Sequence, residues 1–220
     1  MRKCYLDMNN NERISFMRES GIDFLYRYRS LTDESCKYEI EALQRKQIWL
    51  QNMSGLNDER EGSLSEHVWA HANGQLRKYR DNFGCFSMSS INPLEESSSY
   101  MWREYAKDGF CLAYSMKLLA DLEIFMAPVQ YVKTIDMTFL KENSKHPESI
   151  FVAKENKWSY ENEWRHLDIL KKPGNGEYYK TSVKPAKAYV SGKLMTKTIW
   201  KELWKCLLDM ETEIVYMEEK

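Results

Sequence analysis

The chain has 220 residues, 43% hydrophobic and 13% aromatic, with 32 Lys and Arg against 33 Asp and Glu for a net charge of −1. That length supports a full core and favours one domain over 1–220, no apolar run approaches the ~20 residues of a membrane span, and near-neutrality supplies no global field for nucleic acid or an acidic membrane. The start, MRKCYLDMNNNERISF, has no apolar stretch of secretory length. The cysteines Cys4, Cys36, Cys85, Cys111 and Cys206 are scattered, with no CxxC, which argues against a disulfide framework or a structural zinc and makes a reducing cytoplasm the expected compartment.

In chain order, FLYRYRS (24–30) alternates as a strand, and TDESCKYEIEALQRKQ offers Thr32 or Asp33 as the N-cap of a helix patterned on Tyr38, Ile40 and Leu43. IWLQN (48–52) is apolar and β-rich. It runs through the turn-prone SGLNDEREG toward a helix patterned on Val68, Trp69, Ala72, Leu76 and Tyr79. FGCFSMSS (83–90) reads as a buried strand, Pro93 can start a helix carrying Met101, Trp102 and Tyr105, and GFCLAYSM (109–116) returns as a strand. Further strands are expected at PVQYVKT (128–134), ENEWR (161–165), AKAYVSG (186–192) and TEIVYM (212–217), with helices near 137–156 and 195–209. The predicted class is α+β, a single domain with a mixed or antiparallel sheet flanked by helices.

Several chemistries lack their motifs. His67 and His71 share a helix face, but Glu66 precedes them where HExxH needs the glutamate between, and no third ligand is identifiable, so no metal is expected. NDERE (57–61) reads as a helix start with acids in its first turn. GxxxxGK[ST], GxGxxG and GxSxG are absent, which removes P-loop, Rossmann and serine-hydrolase readings. From Lys171 to Lys201 eight lysines face one acid, Glu177. Such lysines blunt strand edges or, through Lys184, Lys187 and Lys193, face the phosphates of a nucleic acid.

KWSYENEWRH (157–166) sets Glu161 and Glu163 two apart. Read as a strand, it turns Trp158, Tyr160 and Trp164 to one face and Ser159, Glu161, Glu163 and Arg165 to the other. Two like charges there repel, so either Arg165 neutralises them at a sheet edge or they line a working site. Both readings stand on the spacing alone.

Three segments taken together, YRYRS (26–30), SMS (87–89) and ENE (161–163), follow the order Arg, Ser-x-Ser, Glu-x-Glu. This resembles the pattern of ADP-ribosyltransferases that act without a Rossmann fold and clamp NAD in the crevice of a split α+β sheet. The resemblance implies Glu163 as the carboxylate opposite the ribosyl cation and Glu161 as the group that orients or deprotonates the acceptor. It assigns NAD contacts to Arg27, Arg29, Ser30, Ser87 and Ser89, with Trp102 and Tyr105 as aromatic candidates, although these two stand outside the usual transferase spacing. FLYRYRSL, LNDEREG, CFSMS, MWREYAKDGFCLAYS, VQYV and KWSYENEWRH also resemble, over nearly the whole chain, a widespread bacterial family of unknown function. Together these imply an ADP-ribosyltransferase or NAD glycohydrolase acting on a macromolecule, protein or nucleic acid, as a toxin or defence effector; the alternative is a sensor module that binds a nucleotide or partner in the same crevice without turnover.

Overall fold

Strand β1 (Phe24–Arg29) runs at the centre of the sheet with Leu25, Tyr26, Arg27 and Tyr28 all buried, so both of its faces are covered and its alternation serves two layers. A computed structural model describes residues 4–30, 35–56, 78–179, 182–196 and 198–217. The other strands are β2 (Ile48–Asn52), β3 (Phe83–Ser89), β4 (Phe110–Ser115), β5 (Ala127–Pro128), β6 (Gln130–Val132), β7 (Ala153–Glu155), β8 (Glu163–Ile169), β9 (Glu177–Tyr179), β10 (Lys187–Ser191) and β11 (Glu213–Met217). The main sheet has the order β11-β10-β4-β1-β3-β2-β9, with β8 on β3 and β5 on β8; β10 and β11 are parallel, the rest of this sheet antiparallel. A separate parallel pair joins β6 to β7. The helices are α1 (Asn10–Arg18), α2 (Ser35–Gln44), α3 (Ser99–Met101), α4 (Met116–Asp121), α5 (Met137–Glu142) and α6 (Ile199–Asp209). The α+β class read from the sequence is the class of the structure, and among the described residues no helix is long and apolar enough to cross a membrane.

Two apolar layers cover the sheet. Leu25, Phe86, Met88, Leu112, Tyr114, Trp164 and Val190 pack under α1, α2, α4 and α6 through Met17, Ile40, Leu43, Leu119, Leu203 and Leu207. On the opposite face Tyr26, Tyr28, Cys111 and Ala113 meet Ile91, Met101 and Ala106, and Phe83 and Cys85 meet Phe139, Ile150 and Phe151. Helix α1 is closed by a reciprocal cap in which Asn9 Oδ1 accepts from Glu12 N at 3.0 Å and Glu12 Oε2 from Asn9 N at 2.7 Å.

Strand β3 is where the sheet forks. One edge pairs along its whole length with β8, from Phe83↔Ile169 to Ser89↔Glu163. The other edge pairs with β2 at Gly84 and Cys85 and with β1 only at Ser89. Between these two partners lies Ser87, whose backbone carbonyl accepts from Arg27 Nη1 at 2.8 Å. A guanidinium thus supplies the donor at the fork.

Several expected elements differ. Glu161 closes a 3₁₀ turn (Asn156–Glu161) and is not in a strand; Asn162 then adopts the left-handed region at φ 43°, ψ 52°, and β8 begins only at Glu163. Asparagine tolerates that conformation better than most residues, which is why the alternation breaks inside ENE. The helix expected over 137–156 is α5 followed by a 3₁₀ turn (Pro147–Val152) and β7, because Pro147 disfavours helical geometry at His146 before it. The segment after Pro93 stays irregular to a 3₁₀ turn at Glu96–Ser98, then α3, then a π-helical turn (Trp102–Ala106). Thr32, Asp33, His67, His71, the NDERE acids and most of the helix expected over 68–79 lie outside the described residues.

Candidate functional site

Register places Tyr26, Ser89 and Glu163 side by side across β1, β3 and β8, and Ser87 beside Arg165. Alternation then puts Tyr28, Ser87, Ser89, Glu163 and Arg165 on one face of the sheet. There Arg165 forks onto Glu163, with Nε to Oε1 at 2.8 Å and Nη2 to Oε2 at 2.9 Å, while its Nη1 donates to Phe151 O at 2.7 Å. Lys154, from β7, lies 2.7 Å from Glu161 Oε2 and 2.9 Å from Glu163 Oε2. Tyr105, on the π-helical turn, donates its hydroxyl to Glu161 Oε1, and Tyr131 accepts from Glu163 N at 2.9 Å.

All four charges are enclosed: Glu161 is 3% exposed, Glu163 8% and Arg165 1%, with the Lys154 side chain at 12%. Among the described residues two carboxylates face two cations, which is the arrangement burial demands of ions. Burial pushes the Glu163 carboxyl above its ordinary value and the charge of Glu161 adds to that, while Lys154 and the Ser87 hydroxyl pull it down. Burial opposes the charge on Lys154 too, but Glu163 and Glu161 outweigh it and hold the ammonium protonated. The Tyr105 phenol is raised by burial and then by Glu161, and burial pushes Tyr131 up to about 12. Both phenols are neutral near pH 7.

The π-helical turn that aims Tyr105 is anchored from below. Gly109 sits where a Cβ would lie 2.0 Å from Arg29 O, so the chain can pass this close to β1 only as glycine. Trp102 donates Nε1–H to Pro93 O at 3.1 Å and stands edge-on to Tyr28.

Arg27 and Arg29 point to the other face of the sheet. Both reach Glu39 Oε2 on α2, at 2.6 and 3.0 Å, and the Arg27 guanidinium also covers the Phe86 ring at 4.3 Å. Burial, then Arg29, lowers the Arg27 pKa against the pull of Glu39. Glu39 is itself penalised by burial, but the two arginines override it and hold its carboxyl below the usual range. Among the described residues Arg27 Nη2 is buried with no hydrogen-bond partner.

The candidate residues therefore divide. Glu161, Glu163, Ser87 and Tyr105 come together. Ser89 serves the backbone, accepting from Ile91 N at 3.1 Å and donating to Glu161 O at 2.6 Å, so it fixes the turn that carries Glu161. Trp102 packs beside Tyr28, and Ser30 is buried just past the end of β1. Arg27 and Arg29 do not face the carboxylates, yet Arg27 reaches the strand position that carries Ser87, whose carbonyl takes the guanidinium and whose hydroxyl, on the face of Glu163, pulls that carboxyl's pKa down. Lys184, Lys187 and Lys193 each have an acid nearby, Glu211 at 3.8 Å, Glu213 at 3.0 Å and Asp108 at 3.4 Å, partners they would have to give up to face phosphates.

Three members of these clusters escaped sequence reading: Lys154, Glu39 and Tyr131. In AKENKW, Lys154 and Lys157 look alike, but Lys157 pairs with Glu155 at the surface. Only the β6–β7 pairing decides which lysine enters the site.

Comparison of the chain with protein-family models, with curated proteins and with solved structures finds no match.

Proposed function

We propose that this chain cleaves the bond between ribose and nicotinamide in NAD, passing ADP-ribose to a macromolecular acceptor or to water. The observation that supports this most is the convergence at Ser87: Arg27 donates to its carbonyl, and its side chain shares a sheet face with Glu163, so one residue from each of the three motifs gathers there. Loss of nicotinamide leaves positive charge on the ribose carbon, and Glu163 is the buried carboxylate to oppose it. Ser87 is neutral and partly exposed, so a ribose hydroxyl can take its place beside Glu163 without uncovering a charge. Glu161, bonded by Tyr105 and Lys154, is placed to orient the acceptor. The acceptor class, protein or nucleic acid, belongs to this proposal as well, and the pairing of Lys184, Lys187 and Lys193 with acids lends the nucleic-acid option little weight.

A second reading has its own observation. Lys154 and Arg165 already balance both carboxylates, which suits a module that binds a nucleotide and does not turn it over. Nicotinamide release from NAD by the purified protein, with and without cell lysate, separates the two. Release supports the enzyme; no release together with thermal protection by NAD or another nucleotide supports the sensor.

A further inference from the structure

Two buried carboxylates whose oxygens approach one point ordinarily share a proton, because both cannot stay ionised at short range in a medium of low polarity. Glu161 Oε2 and Glu163 Oε2 approach one point here, and that point is the ammonium of Lys154, at 2.7 and 2.9 Å. Arg165 makes its two-pronged contact with one member of the pair, Glu163. Among the described residues Glu161 receives no guanidinium bond; its side chain is held by Lys154 and the neutral Tyr105. We infer that Lys154 is a positioning residue that keeps Glu161 and Glu163 from sharing a proton, leaving Glu163 charged, an inference whose bearing on catalysis rests on the proposed NAD reading.

Among the described residues around the pair, no other group takes this part near neutral pH. From β3, Ser87 faces the pair, and the thiol of Cys85 is pushed far up by burial and by Glu163. Tyr131 from β6 and Tyr105 from the π-helical turn are raised phenols. Arg165 comes from β8 itself, and Arg27 and Arg29 lie across the sheet, tied to Glu39. Among these described groups the two carboxylates carry the proton count, with Lys154 between them.

The test compares Lys154→Met, which fills the space without charge, with Lys154→Arg, which restores charge, and with Lys154→Met/Glu161→Gln, which leaves one carboxylate with nothing to share. Carboxyl protonation is followed by isotope-edited infrared spectroscopy on the protein alone, and the acidic limb of NAD cleavage is followed in parallel. Lys154→Met is expected to move the highest carboxyl titration upward by about one pH unit or more. Lys154→Arg should return it, and the double variant should abolish the shift. If Lys154→Met is unfolded at pH 7, the account requires it to refold at pH 5, where the shared proton replaces the missing charge. A folded Lys154→Met protein with an unmoved titration, or one unfolded at both pH values, overturns the inference. The infrared result needs no turnover, so a Lys154→Met protein that shifts as described, beside a wild type that releases no nicotinamide, sinks the NAD reading alone.

Discussion

Arg165 grips Glu163 from two positions further along the same strand, with both bonds, Nε to Oε1 at 2.8 Å and Nη2 to Oε2 at 2.9 Å, formed inside the protein. A same-strand pair of this kind needs the period of two to bring both side chains to one face, and β8 provides it from Glu163 onward.

Removing Arg165 leaves Glu163 buried with Lys154 as the other cation among the described residues and takes a donor from Phe151 O. Arg165→Met is therefore expected to cost about 3–5 kcal/mol, the scale for breaking one side of a buried pair. Arg165→Lys keeps the charge and loses the fork, so its urea midpoint should fall between the wild type and Arg165→Met. Equal midpoints for all three would show that the grip contributes nothing.

Glu39 holds two arginines from the opposite face. Glu39→Gln leaves the buried Arg27 facing Arg29 without an anion, and should destabilise by about 3–5 kcal/mol. Arg29→Ala removes the partly exposed member, 18% exposed against 3% for Arg27, and relieves repulsion, so its cost should stay near 1 kcal/mol or below. Chemical denaturation of the two variants checks this order, and a reversed order refutes it.

Two histidines give opposite pH responses. His166 is buried with its pKa lowered by burial, so the unfolded chain binds a proton there that the native state refuses. Stability from this site is full above the unperturbed value of about 6.5 and is lost as pH falls toward the folded value. His146, bonded to Asp7 at 2.8 Å and Glu148 at 3.2 Å, has its pKa raised, chiefly by Asp7. Its contribution is full below about 6.5 and is lost as pH rises through the folded value, loosening the hold on the turn at Tyr5–Asp7. Melting temperature against pH for His166→Gln should lose the acid-side decline, and for His146→Gln the alkaline-side one.

Much of the fold was legible because the central strands are long and apolar. The strands expected at 24–30, 83–90, 109–116, 186–192 and 212–217 appear as β1, β3, β4, β10 and β11 within a residue or two at either end. The α+β class followed from them. The break inside ENE was not legible, since nothing local distinguishes an asparagine in the left-handed region from one in a strand. Nor was the direction of Arg27: alternation correctly put Arg27 and Arg29 on a common face, but which face depends on pairing Tyr26 with Ser89, residues 63 apart in the chain. Lys154 and Glu39 were hidden for the same reason, as surface-type residues made internal by long-range packing.

Substitution of Glu163 by glutamine tests the central claim most directly. Glu163→Gln keeps shape and removes the charge opposite the developing ribosyl cation, so nicotinamide release per folded molecule should fall roughly 100- to 1000-fold, with thermal protection by NAD retained. The assay is normalised to folded protein because Arg165 and Lys154 both lose a partner in this variant. Glu161→Gln should instead lower transfer to an acceptor while sparing hydrolysis. A wild type that releases nicotinamide, alongside a folded Glu163→Gln protein that releases it equally fast, would contradict the account and leave ENE as an ion cluster that stabilises the fork of the sheet.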